Sequence, residues 1–189
     1  MQAASVILAA VESPAQRDAA RSLVSEYLRW VGGIARSSYG LSFDVDAMVQ
    51  SDIEDRSKFY PPSGRFYLVQ QAGRFVGVGC LKRLAPAVGE VQRMYVQPHV
   101  RGVGAGRSLV ERLLEDAAAL GYSTVRLESL RALAAAHGLY RSVGFREVEP
   151  YADNSMSAYQ DPATLARYRE SAVFMELSLQ AKKPQGVPA

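Results

Sequence analysis

The sequence predicts an α/β (α+β) protein with one mixed β-sheet of about seven strands flanked by about four helices. Three observations predict it. Residues 65–71 and 74–84 are β-rich runs joined at Ala72-Gly73, a two-residue connection whose chemistry suits an antiparallel hairpin. Residues 90–120, EVQRMYVQPHVRGVGAGRSLVERLLEDAAAL, pass from an apolar strand through a glycine-dense arginine loop into a helix. The stretch TVRLES at 124–129 follows that helix, and a strand, helix, strand passage implies parallel pairing through a right-handed crossover. A sheet that holds both arrangements is mixed.

In chain order, residues 5–11 form a first strand, and Ser13, Pro14 and Gln16 supply an N-cap, a first-turn proline and the reciprocal partner of a capping box. The helix begun there turns Ala20, Leu23, Val24, Tyr27 and Leu28 to one face and is expected to end at Gly32-Gly33. A second, acid-rich helix is expected over 44–55, with Val45, Met48 and Val49 inward and Asp46, Asp52, Glu54 and Asp55 in solvent. Pro61-Pro62-Ser63-Gly64 is a turn before the hairpin. The central strand, 91–96, stops at Pro98, which lacks the N–H that a ladder needs. After the loop, Leu109, Val110, Leu113, Leu114 and Ala117 recur at helical spacing, and Gly121 suits a left-handed helix end. Leu133, Ala136, Tyr140 and Val143 trace a further helix closed by Gly144, and 145–151 resume extended structure. A polar insertion at 153–171, in which Asp161-Pro162 is an N-cap and first-turn pair, precedes the last strand at 172–179. Residues 1–180 read as a single domain and 181–189 as a flexible C-terminal tail.

Composition excludes several classes. A net charge of +3 with Lys and Arg scattered along the chain gives no nucleic-acid footprint. The single Cys80 rules out an internal disulfide, and with only His99 and His137 beside it no metal cluster of recognised spacing can be assembled. The apolar run at 6–11 is too short to span a membrane and lacks a basic flank, so a reduced, cytoplasmic setting is expected. His99 reads as an exposed loop residue, His137 as a helix-surface residue, Cys80 as strand core and Trp30 as helix-end packing.

The loop Arg101-Gly102-Val103-Gly104-Ala105-Gly106 carries the chemistry. Without Cβ atoms its backbone can turn sharply and present N–H groups at a helix start, where the dipole favours an anion such as a pyrophosphate. A P-loop would need a lysine, which is absent, and the dinucleotide spacing would need a third glycine where Arg107 stands. What remains is Arg-x-x-Gly-x-Gly after a strand, followed downstream by Leu139-Tyr140-Arg141-Ser142-Val143-Gly144-Phe145.

These two motifs, in the order strand, loop, helix, strand, LYRSVGF, resemble GNAT-type N-acetyltransferases over nearly the whole chain. The resemblance implies a GNAT-like sheet splayed beside the loop, with acetyl-CoA as cosubstrate, no metal, and the acceptor entering from the opposite side. It also implies that Arg101, Gly102, Val103, Gly104, Ala105, Gly106 and Arg107 hold the pyrophosphate, and that the backbone at Met94, Tyr95 and Val96 holds the pantetheine and the carbonyl oxygen. Tyr140 is the expected acid, although packing alone also accounts for it. Glu128, then Glu90, is the expected base for an amine that must be neutral to attack. Many relatives carry an asparagine where this chain has Leu133, so that cofactor contact is expected to be absent or replaced. The insertion is expected to shape the acceptor pocket with Tyr151, Asn154, Tyr159 and Tyr168. The function implied is acetyl transfer to a primary amine of a small molecule or peptide; a non-catalytic acetyl-CoA-binding module and a nucleotide-binding protein are the rivals. The acidic stretch at 44–55 points to a cationic amine, and the oligomeric state, a homodimer included, stays open.

Overall fold

Local chemistry sets most element starts in a computed structural model, which describes residues 5–151, 156 and 161–179. Strand β1 (Val6–Ala10) leads into helix α1 (Pro14–Tyr39). Its capping box is closed, with Gln16 N–H donating to Ser13 Oγ at 3.2 Å and Ser13 N–H donating to Gln16 Oε1 at 2.9 Å. The helix does not stop at Gly32-Gly33; it runs on to Tyr39 and closes on Gly40 at φ 65°. Helix α2 (Val45–Glu54) packs there, and a Cβ added to Gly32 would stand 3.7 Å from Val45 Cγ2. Burial of Leu28, Val31 and Ala35 in one cluster with Met48 and Val49 outweighs the roughly 1 kcal/mol by which each glycine disfavours a helix.

Carboxylates cap the starts of the next two helices. Asp44 accepts from Ala47 N–H at 3.0 Å to start α2, and Asp55 accepts from Ser57 N–H at 3.0 Å to start the short α3 (Arg56–Phe59). Asp52 departs from expectation. It is fully buried rather than in solvent, and its carboxylate is gripped by Lys58 and by Arg93 Nε. It sits on the helical face shared by Met48, Val49 and Ile53, where solvent cannot reach it.

The sheet runs β1-β2-β3-β4-β5-β7-β6. Its further strands are β2 (Arg65–Gln71), β3 (Arg74–Ala85), β4 (Val88–Val96), β5 (Thr124–Leu130), β6 (Arg146–Val148) and β7 (Ala172–Ser178). Ala72 at φ 48° and Gly73 at φ 76° make the tight turn of the β2-β3 hairpin. Only β4 and β5 pair in parallel, as the crossover predicts, and only through Val88, Gly89 and Glu90 against Thr124, Val125 and Arg126. Opposite β3, a bulge inserts one residue into β4 between Gln92 and Tyr95, with Arg93 at φ 55°. A 3-10 turn (Pro98–Val100) and the glycine loop then lead to α4 (Ala105–Ala119).

Helix α5 (Ala134–Ser142) follows β5, and α6 (Pro162–Ser171) occupies the insertion, begun by Asp161, which accepts from Ala163 and Thr164 amides. Among the described residues α6 is thus the short helix that Asp161-Pro162 predicts, and α3 is a helix beyond those expected. Each sheet face has its own core: α1, α2 and α3 cover Phe66, Leu68, Val78, Cys80 and Phe174, while α4 and α5 cover Val69, Val76, Leu81, Val125 and Met175. Cys80 is core, as expected, but His137 is 4 % exposed and not on the helix surface. Burial lowers its pKa, with Arg141 adding to the effect. No described helix is long and apolar enough to cross a membrane. The tail at 181–189, Asn154 and Tyr159 lie outside the described residues.

Asp52 supports a direct test. Asp52→Ala leaves two buried cations without their carboxylate and is expected to destabilise the fold by about 3–5 kcal/mol in urea denaturation; a loss below about 1 kcal/mol would show the cluster to be dispensable.

Candidate active site

Beyond Glu90 the inner edges of β4 and β5 separate, and the gap between them is a cavity of about 570 Å³. Val91 to Val96 of β4 form one wall, Leu127 to Ser129 of β5 the opposite one, the loop and the start of α4 close one end, and α5 and α1 complete it. Strand β4 keeps β3 as its partner on the far side, so its amides on the near side face the gap without a neighbouring strand.

Most of the sequence-predicted residues meet on this wall: Met94, Tyr95, Val96, Arg101, Gly102, Gly104, Ala105, Gly106, Arg107, Glu128 and Tyr140. Two do not. Val103 is 46 % exposed and its side chain is not part of the wall. Glu90 is fully buried beside the cavity, 3.5 Å from Lys82 Nζ and accepting from Gln92 Nε2 at 2.9 Å. Glu128 is therefore the carboxylate of the pair that reaches the gap.

The loop has the conformation its glycines permit. Gly102 and Gly104 sit at φ 85° and 87°, a left-handed geometry that costs other residues roughly 1–2 kcal/mol. Gly104 caps α4 with no side chain, and the first helical bond joins Ser108 N–H to Gly104 C=O at 3.0 Å. The amides ahead of it have no intrahelical acceptor, which makes this end receptive to an anion. Arg101 donates from Nε to Val96 C=O at 2.9 Å and lies over Trp30 at 5.4 Å and Tyr95 at 6.0 Å. Arg107 donates to Ser142 Oγ at 2.8 Å.

Tyr140 is 6 % exposed and meets Phe145 edge-on at 5.9 Å. Burial pushes its pKa up, so its phenol keeps its proton across the neutral range. Leu133 occupies the start of α5 with an apolar side chain on the cavity wall and no side-chain cap, so the asparagine-type contact is absent.

Three cavity residues escaped the sequence reading as site residues. Trp30 lies mid-helix, 41 % exposed, and lines the cavity instead of packing a helix end. Tyr27 was visible only as an apolar-face residue, yet burial raises its pKa against the opposing effect of Arg93. Arg93 sits at the bulge of β4, which puts Val91 in one core and Tyr95 in the other, so strand alternation left no signal for it. Burial opposes its charge, and the facing Asp52 more than offsets this and raises its pKa. A smaller chamber of about 70 Å³ adjoins the cavity through Tyr27, Gln92, Arg93, Glu128 and Ser129. Tyr168 lines it as expected, whereas Tyr151 packs on Phe174 at 5.1 Å, outside both walls.

Residues 34–145 match the model of the Acetyltransferase (GNAT) family, which spans more than half of the chain. The chain belongs to the GNAT family. An uncharacterised N-acetyltransferase of Schizosaccharomyces pombe is 30 % identical over 157 residues, covering 82 % of this GNAT chain and 91 % of its own. An IAA acetyltransferase of Azospirillum brasilense is 33 % identical over 141 residues, covering 74 % and 84 %. The PaiA N-acetyltransferase of Thermoplasma acidophilum, solved in complex with coenzyme A, superimposes with a TM-score of 0.63 at 15 % identity, over 93 % of this chain and 99 % of its own, which shows a shared fold. This GNAT chain is an acyltransferase, as its named relatives are.

One wall residue ties the site to stability. Tyr95 donates to Glu26 Oε1 at 2.8 Å, and burial together with that hydrogen bond pushes its pKa up to about 12. The folded state keeps a proton that an unfolded tyrosine loses near pH ~10, so this contribution is complete below about pH 10 and lost as pH rises toward about 12. Urea denaturation between about pH 9 and 11 should show stability declining, with a shallower decline in Tyr95→Phe; an identical slope in the variant removes Tyr95 as the cause.

Proposed function

We propose that this enzyme moves an acetyl group from acetyl-CoA to a primary amine by direct transfer, without an acyl-enzyme. The observation that carries the reading is the meeting, on one cavity wall, of an uncapped helix start, an unpartnered strand edge, a protonated tyrosine and a carboxylate. These residues fit acetyl-CoA. The amides of Val103 to Arg107, with Arg101 and Arg107, would hold its pyrophosphate, and the backbone of Met94 to Val96 its pantetheine arm. Acetyl-CoA supplies an acetyl thioester.

The protein's own groups do the rest. Glu128 takes a proton from the incoming ammonium, directly or through water, and leaves a neutral amine to attack. As the C–N bond forms and the C–S bond breaks, the amides along β4 stabilise the negative charge on the carbonyl oxygen. Tyr140 holds a proton at its phenolic oxygen for the leaving sulfur and regains one from solvent. Glu90 has no part in this sequence, because Lys82 and Gln92 hold it outside the wall.

Acetyl-CoA should raise the melting temperature of the protein, since a ligand bound to the native state stabilises it. Tyr140→Phe and Glu128→Gln should each lower kcat by about 10²–10⁴-fold while the Kd for acetyl-CoA stays within a factor of about two. Full turnover in both variants would leave a binding module in place of the enzyme.

A further inference from the structure

The small chamber beside the cavity is where the acceptor's remaining atoms belong, and its wall is selective. Leu28, Val31, Phe43, Met48, Met156 and Tyr168 make most of it apolar. At about 70 Å³ it has room for roughly five water-sized bodies, about the size of a leucine or methionine side chain and less than an aromatic one. Polar groups appear only where it opens into the cavity, at Tyr27, Gln92, Arg93, Glu128 and Ser129.

Charge narrows the acceptor further. The acids of α2 expected to draw a cationic amine do not reach the chamber: Asp46 and Glu54 are on the surface with Arg29 and Arg21, and Asp52 is sealed by Arg93 and Lys58. Among the described residues Glu128 is the one carboxylate on the chamber wall. Asp52 faces two cations, Arg93 and Lys58, and Arg93 shares the chamber wall with Glu128. Arg93 spends Nε and Nη2 on Asp52, and its Nη1 has no acceptor among the described residues. A ligand with one ammonium for Glu128 and one carboxylate for Arg93 adds no net charge to this site, whereas a monoamine or polyamine adds buried positive charge.

We propose that the acceptor is a free α-amino acid with a compact apolar side chain, its amine directed to Glu128, its carboxylate to Arg93 and its side chain into the small chamber. This rests on the acetyl-transfer reading above. The N–C bond forms at the α-nitrogen, the thioester C–S bond breaks, and the products are an N-acetyl amino acid and the free thiol.

The test measures thiol release by the full chain with acetyl-CoA and L-leucine, L-methionine, leucinamide, 3-methylbutylamine, spermidine or a short leucine-initiated peptide. Leucine or methionine should exceed leucinamide and 3-methylbutylamine in kcat/KM by about 10- to 100-fold, the usual worth of a charge-assisted hydrogen-bonded partner. Arg93→Lys should erase that preference. Because Arg93 also partners Asp52, the substrate series on the unaltered protein decides the matter if the variant does not fold. Leucinamide, spermidine or the peptide serving as well as leucine overturns the amino-acid assignment and leaves acetyl transfer intact. So does acetyl-CoA binding with no amino acid acetylated. Failure of acetyl-CoA to raise the melting temperature, with no amine acetylated, overturns both.

Discussion

The site depends on the β4-β5 ladder stopping after Glu90 and Arg126. Strand β4 stays bonded to β3 as far as Val96, and β5 stays bonded to β7 as far as Leu130, so both strands remain anchored on their outer sides while their inner edges diverge. A parallel pair also needs a crossover, and α4 supplies it. The chain must therefore enter that helix from the C-terminal end of β4, which sets a helix start beside the opening. Cavity, unpartnered strand edge and anion-receptive helix end follow from one split in one sheet. Backbone groups buried there need partners, and a ligand rich in amides and phosphates can provide them.

The lid over this gap is held by charge as well as by packing. Helices α1 and α2 bring Tyr27, Trp30 and Asp52 over the sheet, and Asp52 binds Arg93 at the bulge of β4. A fully buried carboxylate persists because two cations face it; removing either side leaves an unpaired charge in a poorly solvated place. Burial is the chief cause that raises the pKa values of the Tyr27, Tyr140 and Tyr168 phenols. In such surroundings a single carboxylate or guanidinium has more influence than it would in water.

Family membership settles the fold and the class of reaction, and this chain's own residues determine what is particular to it. Leu133 puts an apolar side chain on the cavity wall at the start of α5. Helix α6, in the insertion between β6 and β7, carries Tyr168 to the small chamber. Ring contact between Phe43 and Tyr168 at 6.3 Å joins that insertion to the connection before α2.

Short-range chemistry was legible in the sequence. The capping box at Ser13, the Ala72-Gly73 turn, the cap at Asp161 and the glycine loop each depend on residues a few positions apart, and each appears as read. The parallel crossover also followed from order and spacing, while the placing of Tyr140 and Glu128 near the loop was implied by the family resemblance alone. Wherever the packing of side chains from other elements or turns decided the outcome, local reading failed. Gly32-Gly33 looked like a helix end until α2 was packed beside it; Asp52 looked like a surface acid until Arg93, forty-one positions on, was turned toward it; Glu90 looked available until Lys82 and Gln92 enclosed it. Sequence alone determined the hydrogen-bonding turns, caps and donor loop, because those are satisfied within a few bonds of chain. Tertiary structure decided which charges are buried, since burial depends on what packs from elsewhere, and so it alone distinguished the carboxylate facing the cavity from the one sealed beside it.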